Sequence, residues 1–523
     1  MRSSFVLAAL CALLASASLV AAGTRTTPQL PKDVKPTPAA APSLGDYTPE
    51  ALADQIHNLP GLAQQPAFNM FSGYLTVDES VGRKLFYWYV ESVKSPSTDP
   101  LIWWSNGGPG CSGLLGFLTE HGPFRPQPAP ATGLEPYPFA WNNLANVLYV
   151  EAPAGVGYSF SKDSSDYNTG DAKTAADNLR AIQQFLKRFP QLASNDFYIS
   201  AESYGGHYVP TLAMSILKSG TLPNFKGFLL GNPLTDMDEN TNWGQAGTLC
   251  GHSLASRPTC DSFTAHCLGA SGPDGWCTIA QEAVVSEAGG LDAYGLDFPT
   301  CSQSAEQKRL LHHLYLERKM RPGFNGRFKA QLDAVAPSAY DPCMQGEETL
   351  YLNRADVRDA LHVDPYVGQW AGCSNVVNYN QTDVNAHMEP IYQQLLAHGG
   401  LRMVIFSGDD DSVCATLGTQ HWMYNLLPDV DSNWQTWYYD SGANGQQIGG
   451  YLTVFKAGIS LATVHGAGHM VSTYQPERGL AVLEHFLSGK FTPSAEQLRE
   501  QGEAEEAAAA VKPTHKKRSY RKH

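Results

Sequence analysis

Positive charge is scarce in this chain: 36 Lys and Arg stand against 50 Asp and Glu, a formal charge of −14 over 523 residues. A general nucleic-acid binder needs a basic face to hold phosphates, so this balance argues against one. Cysteines are few, and none pair at the C-x-x-C spacing of a zinc site. After residue 22 no apolar run is long enough to span a bilayer. The glycine-rich stretch at 105–113 is not followed by Gly-Lys-Ser/Thr, which excludes a phosphate-cradling P-loop. No metal or cofactor is expected from these patterns.

What is present points to an exported α/β protein. Residues 1–22 open Met1-Arg2, run through an apolar stretch from Phe5 to Leu14, and end in small residues near Ala22. That is the pattern of a signal peptide. Residues 23–47 are rich in Pro, Thr and Ala and read as a flexible leader. Nine cysteines follow the signal, an odd number, so disulfides with one thiol left over are expected in an oxidising compartment. Asn380-Gln381-Thr382 is an N-glycosylation sequon, making Asn380 a candidate glycan site. Hydrophobic residues make up 43% of the chain, enough for a substantial core.

The chain is organised around Ala201-Glu202-Ser203-Tyr204-Gly205, which lies between a short apolar strand pattern and a helical one. It is a near-match to G-x-S-x-G, the nucleophile elbow of α/β-hydrolases. The turn is sharp, so the positions two before and two after the serine must be small. Alanine at 201 and glycine at 205 satisfy that. Upstream, the buried strand pattern at 101–104 runs into Ser105-Asn106-Gly107-Gly108-Pro109-Gly110, a strand-end loop of the kind that offers an N–H to an oxyanion. Further strand patterns at 71–77, 84–90, 146–151 and 402–407, with a helical pattern at 171–189, predict a mostly parallel sheet covered on both faces. An acid follows a later strand, at Asp409, Asp410 or Asp411, and His469 lies in a late glycine loop. Serine, then acid, then histidine is the α/β-hydrolase order. A serine hydroxyl is not ionised at working pH, so a histidine must take its proton and a carboxylate must hold that histidine's tautomer.

These stretches, together with Ser72-Gly73-Tyr74, Glu151-Ala152-Pro153-Ala154-Gly155 and Gly231-Asn232-Pro233, resemble the serine carboxypeptidase family over about residues 48–490. The resemblance implies an α/β-hydrolase fold with an inserted, disulfide-rich cap. It also implies Ser203 as nucleophile, His469 as general base and then acid, and Asp411, third in its run, as the partner of His469. Oxyanion donors would be the N–H groups of Gly108 and Tyr204. The free carboxylate of a peptide substrate would be held by Asn106, the Gly107 N–H, Glu202 and Glu120, the two glutamates sharing one proton and favouring acid pH. The same resemblance pairs Cys111 with Cys373 and Cys301 with Cys343, and leaves Cys414 as a free thiol. The remaining cap cysteines are expected to nest as Cys250–Cys277 and Cys260–Cys267. Two positions depart from the family pattern: Ala201 replaces a glycine, and Ser472 stands where proline is common.

The resulting organisation is a hydrolase core at 48–235 and 346–490, a cap at 236–345 and a charged tail at 491–523. A basic stretch at 308–329 reads as solvated surface. Expected partners are peptide and protein C-termini as substrates, with no nucleic acid and no stable membrane anchor; a homodimer is left open. The destination is the secretory pathway, either outside the cell or in a vacuole or lysosome. The alternative activity is acyl transfer from a sugar ester to an alcohol by the same three residues.

Overall fold

The computed structural model describes residues 44–128, 132–268, 273–299 and 346–491. The signal peptide, nearly all of the leader, the basic stretch at 308–329, the Cys301–Cys343 pair and the tail beyond residue 491 lie outside the described residues.

Ten strands form one sheet: β1 Met70–Asp78, β2 Arg83–Val90, β3 Leu101–Ser105, β4 Asn146–Val150, β5 Phe197–Glu202, β6 Phe225–Gly231, β7 Arg402–Gly408, β8 Val430–Asp440, β9 Gln446–Phe455 and β10 Ile459–Val464. Their spatial order is β1-β2-β4-β3-β5-β6-β7-β10-β9-β8. The six strands from β4 to β10 pair in parallel, and an antiparallel pair closes each edge. Every residue of β3, β4 and β5 is buried, as expected of parallel strands covered on both faces. The predicted α/β architecture is the observed one.

Helices α1 Asp171–Arg188, α2 Gly205–Ser219 and α6 Thr416–Leu426 cover one face. They bury Ile182, Phe185, Val209, Leu212 and Trp422 against the sheet. Helix α7 Pro476–Leu487 covers the other face through Val482, Leu483 and Phe486, alongside Trp88, Trp104 and Trp141. In α1 the buried positions 171, 174, 175, 178, 181, 182 and 185 recur at helical spacing and explain why this segment folds as a surface helix.

The cap leaves the core after β6. Its helices α3 Trp243–Gly251, α4 Arg257–Cys267 and α5 Cys277–Ala288 enclose a small core of Ala246, Leu249, Phe263, Val284 and Leu296. Here the structure corrects an expectation. Cys250 bonds Cys260 and Cys267 bonds Cys277, so the bridges run in series and are not nested. The reason is geometric. Cys260 and Cys267 both lie on α4. Seven residues of helix separate them by about 10 Å, beyond the reach of a disulfide.

Candidate active site

Five neighbouring strands of the parallel sheet, β3, β5, β6, β7 and β10, deliver the candidate residues from their carboxyl ends. Asn106 follows β3, Ser203 follows β5, Asn232 follows β6, Asp411 follows β7 and His469 follows β10. Ligands bind open α/β sheets on that side because the loops there are free of the sheet's own pairing.

Ser203 occupies the tight turn between β5 and α2 at φ 71°, a left-handed conformation rare for a residue with a side chain. Such a residue costs about 1–3 kcal/mol and persists only where its surroundings determine it. They do so here. The Ser203 carbonyl accepts from Gly206 and Leu234 (both 2.8 Å), and its N–H donates to the Gly231 carbonyl (3.2 Å). A Cβ on Gly205 would come within 2.5 Å of the Ala201 methyl, so the turn accommodates alanine at 201 because 205 is bare.

The glycine loop packs directly on this turn. A Cβ at Gly107 would lie 2.4 Å from the Tyr204 nitrogen and 2.6 Å from the Ser203 Cβ. Among the described residues, the N–H groups of Gly107, Gly108 and Tyr204 donate to no acceptor, which leaves three backbone donors at one place. Two anchors hold the loop. The Cys111–Cys373 disulfide ties its far end to a distant segment. The buried Glu151 carboxyl accepts from Ser112 Oγ, the Tyr158 N–H (2.6 Å) and Trp370 Nε1 (2.7 Å). Burial pushes that carboxyl up to about 7.

The three aspartates after β7 are sorted by direction. Asp409 accepts from His465 Nδ1 (2.8 Å) and the Gly466 N–H (2.6 Å). Asp410 faces the cap, accepting from the Asp297 N–H (3.0 Å), and burial raises its carboxyl to about 6. Only Asp411 meets His469, at 2.7 Å from Nδ1. The fully buried Asp411 also accepts from Asn232 Nδ2 (2.7 Å), the Val413 N–H (2.7 Å) and the Cys414 N–H (3.3 Å). A carboxylate can only accept, so His469 carries its proton on Nδ1 and presents Nε2 as a base.

Asn106 joins the two glutamates. Its Oδ1 accepts from Trp104 Nε1 (2.9 Å) and the Gly116 N–H (3.0 Å), which fixes the amide orientation. Its Nδ2 then donates to Glu120 Oε1 and Glu202 Oε1, 2.8 Å each. The two buried carboxyls also hydrogen-bond one another. Burial raises both, and the neighbouring Glu120 charge raises Glu202 further, well above the ordinary carboxyl range. Glu120 also feels His469, and Glu202 feels Asp411, so the pairs form one site.

Cys414 is a buried free thiol that burial pushes well upward, with the Ser203 side chain in hydrogen-bonding reach. Ser472, the other departure, is buried and packs against Gly479. Asn380 is exposed, its side chain capping the short helix Gln381–Val384.

One neighbour carried no signal in the sequence. Tyr294 belongs to the cap segment after α5; its carbonyl accepts the His469 N–H at 2.7 Å and its ring stands edge-on to the imidazole at 5.1 Å. Tyr294 is 47% exposed, so the cap contributes an open aromatic wall beside the histidine. Among the described residues, Asp236, His387 and Glu389, and likewise His252, Asp297 and Asp410, are close enough together to share a cation. Neither trio includes Ser203, Asp411 or His469.

A model of the serine carboxypeptidase family matches residues 60–489. Serine carboxypeptidase 24 of Arabidopsis thaliana is 41% identical over 457 residues, which cover 84% of this chain and 93% of that protein. Serine carboxypeptidase-like 25 of the same plant is 38% identical over 461 residues, covering 85% and 93%. In fold, the chain matches a prohormone-processing carboxypeptidase, Kex1(delta)p of Saccharomyces cerevisiae. The TM-score is 0.64 at 19% identity, with 84% of this chain and 97% of that one covered.

Proposed function

The chain belongs to the serine carboxypeptidase family, and we propose that it releases C-terminal amino acids from peptides and proteins at acid pH through an acyl-enzyme on Ser203. The observation that carries this reading is the Asn106–Glu120–Glu202 cluster beside the serine. Two buried carboxyls cannot both ionise cheaply, so at acid pH they share a proton. The protonated member and the Gly107 N–H donate to the substrate's terminal carboxylate, and Asn106 joins them by turning one Nδ2 hydrogen from a glutamate to the substrate. Once that proton is lost, a second negative charge faces the substrate.

In the reaction, His469 Nε2 takes the Ser203 proton as Oγ attacks the scissile carbonyl, and Asp411 stabilises the imidazolium. The N–H groups of Gly108 and Tyr204 receive the oxyanion. The imidazolium returns its proton to the departing amino group, so the C–N bond breaks and the free amino acid leaves. Water, deprotonated by His469, then hydrolyses the ester and restores Ser203. The disulfides support a route through the secretory pathway, ending outside the cell or in a vacuole or lysosome.

The test is hydrolysis of a blocked dipeptide, Z-Phe-Leu, and of its C-terminal amide at about pH 5 and pH 7.5, with fluorophosphonate labelling of Ser203 in parallel. Brisk cleavage of the free acid at low pH and poor cleavage of the amide are expected. Labelling without cleavage would replace the peptidase by the acyltransferase reading, in which an alcohol takes the place of water.

A further inference from the structure

Behind the elbow lies a buried polar cluster that the chemistry above does not use. Asp171, the first residue of α1, is only 7% exposed. Its Oδ1 accepts from the hydroxyls of Tyr204 (3.1 Å) and Tyr379 (2.7 Å), and its Oδ2 accepts from His207 Nδ1 (3.0 Å). The Tyr204 ring stacks on the His207 imidazole at 4.4 Å and 11°, and is boxed edge-on by Tyr208 and Tyr379 at 5.1 and 5.3 Å. Tyr208 reaches the other side of the site, because its hydroxyl accepts the Gly110 N–H at 3.1 Å. The cluster thus touches both the residue and the loop from which the two oxyanion donors come.

We propose that Asp171 is a positioning residue for the oxyanion hole: by holding the Tyr204 hydroxyl inside the aromatic box, it aims the Tyr204 backbone N–H at the developing oxyanion. This inference rests on Ser203 being the nucleophile. Several facts carry it. A carboxylate this deeply buried must be fully bonded, and a charge-assisted acceptor holds hydroxyl donors more firmly than a neutral one. Asp171 lies in the first turn of α1, where the helix dipole favours its charge. Its own N–H donates to Asp383 Oδ2 at 2.9 Å, so the main chain at 171 is anchored to the same segment that supplies Tyr379. An oxyanion donor works within a few tenths of an ångström of its best distance. Tyr204 lies one residue from the left-handed Ser203; the Ser203 carbonyl, bonded to Gly206 and Leu234, holds one side of the peptide that carries the Tyr204 N–H, and the Tyr204 side chain in its box holds the other.

The test compares Asp171→Ala, Asp171→Asn, Tyr204→Phe and the double variant Asp171→Ala/Tyr204→Phe. The readout is the rate of fluorophosphonate labelling at Ser203, with kcat and KM on a blocked dipeptide. The labelling rate and kcat of Asp171→Ala should fall about 10- to 100-fold, with KM within about twofold of wild type because the Asn106–Glu120–Glu202 grip is untouched. Tyr204→Phe should fall in the same direction, and the double variant should be no slower than Asp171→Ala, since both changes break one contact. Asp171→Asn should recover part of the rate, its amide oxygen still accepting from the two tyrosines. Unchanged labelling in folded Asp171→Ala, or additive losses in the double variant, would overturn the inference. Should Asp171→Ala fail to fold, unchanged labelling in both Asp171→Asn and Tyr204→Phe would overturn it equally. A wild-type protein that labels but releases no amino acid removes the peptidase reading, while the labelling ratio still decides on Asp171. A wild-type protein that does not label at all removes both.

Discussion

Gly107→Ala is a steric test of the site. The backbone at 107 lies outside the left-handed region, so alanine pays no conformational penalty there. Its only cost is space. The added methyl would sit 2.4 Å from the Tyr204 nitrogen, 2.6 Å from the Ser203 Cβ and 2.7 Å from the Glu202 carbonyl oxygen, and ordinary contact begins at 3.4 Å. None of these neighbours can swing away, because two are backbone atoms and the third is the Cβ of the pinned Ser203. The glycine loop must therefore recede by about 1 Å, carrying the N–H groups of Gly107 and Gly108 with it. A displacement of that size at a reacting centre costs on the order of 100-fold in rate, comparable to losing one oxyanion donor. Overpacking of a buried contact costs about 1–3 kcal/mol of stability, which a large fold with a disulfide across the loop can absorb.

The assay is kcat on a blocked dipeptide together with Tm from near-ultraviolet circular dichroism. Gly368→Ala is the control, since nothing lies within 4 Å of a Cβ at that glycine and its backbone also lies outside the left-handed region. We expect about a 100-fold loss of kcat for Gly107→Ala with a cooperative, slightly lowered transition, and no change for the control. A folded Gly107→Ala enzyme with kcat within about threefold of wild type would refute the reasoning, for the close approach of loop and elbow would then not be what positions the donors.

Both site glutamates are raised in the folded protein, so the stability they contribute is complete below their unfolded value of 4.5 and is lost as pH rises. Glu120→Gln removes one charge of the pair, and should therefore flatten both the alkaline rise of KM and the alkaline fall of Tm; identical profiles for mutant and wild type would contradict the shared proton. Among the three neighbouring aspartates, Asp411→Asn should cost about 10³–10⁴ in kcat by reversing the His469 tautomer, while Asp409→Asn stays within a few-fold of wild type. Digestion under non-reducing conditions before Asp261 and Asp274 should leave Cys250 and Cys260 on one peptide and join the Cys267 and Cys277 peptides by a bond. Mass spectrometry finding Cys250 linked to Cys277 would restore the nested pairing.

The features legible in the chain were those whose chemistry is local. A sharp turn needs small residues at 201 and 205, and a buried parallel strand needs an apolar run, so the elbow and the strands β3, β4, β5 and β7 announce themselves within a few residues, while β6, broken by Lys226 and Gly227, does not. The edge formed by β8 and β9 did not. Its register slips at three places, β8 is mostly exposed, and Gly449 and Gly450 interrupt β9, so no clean alternation marks it. The cap pairing was hidden for a related reason: which cysteines meet depends on α4 being one continuous helix, a fact about how three helices stack. Tyr294 and Asp171 lie 91 and 32 positions from Ser203 in the numbering, and nothing around either marks a role.

The aspartate run after β7 shows what a fold adds to a motif. Asp409, Asp410 and Asp411 are chemically identical and adjacent, so no property of the side chain can choose among them. Direction chooses. The strand end turns through three successive residues, sending one carboxylate to the His465–Gly466 turn, the next to the cap and the last beneath His469. Each is held where it points by backbone N–H groups from a different segment: Gly466, Asp297, and Val413 with Cys414. Asp411 alone is wholly enclosed, and Asn232 from the neighbouring strand end spends its amide on that carboxylate. Removing the Asn232 amide should therefore resemble a mild loss of Asp411. Asn232→Ala leaves Asp411 with its backbone donors but frees it to turn from His469, so kcat should fall about tenfold with KM nearly unchanged. An equal loss in Asn232→Asp, which places a second carboxylate where the amide was, would be expected from repulsion. Full activity in both variants would mean that the backbone donors alone orient Asp411.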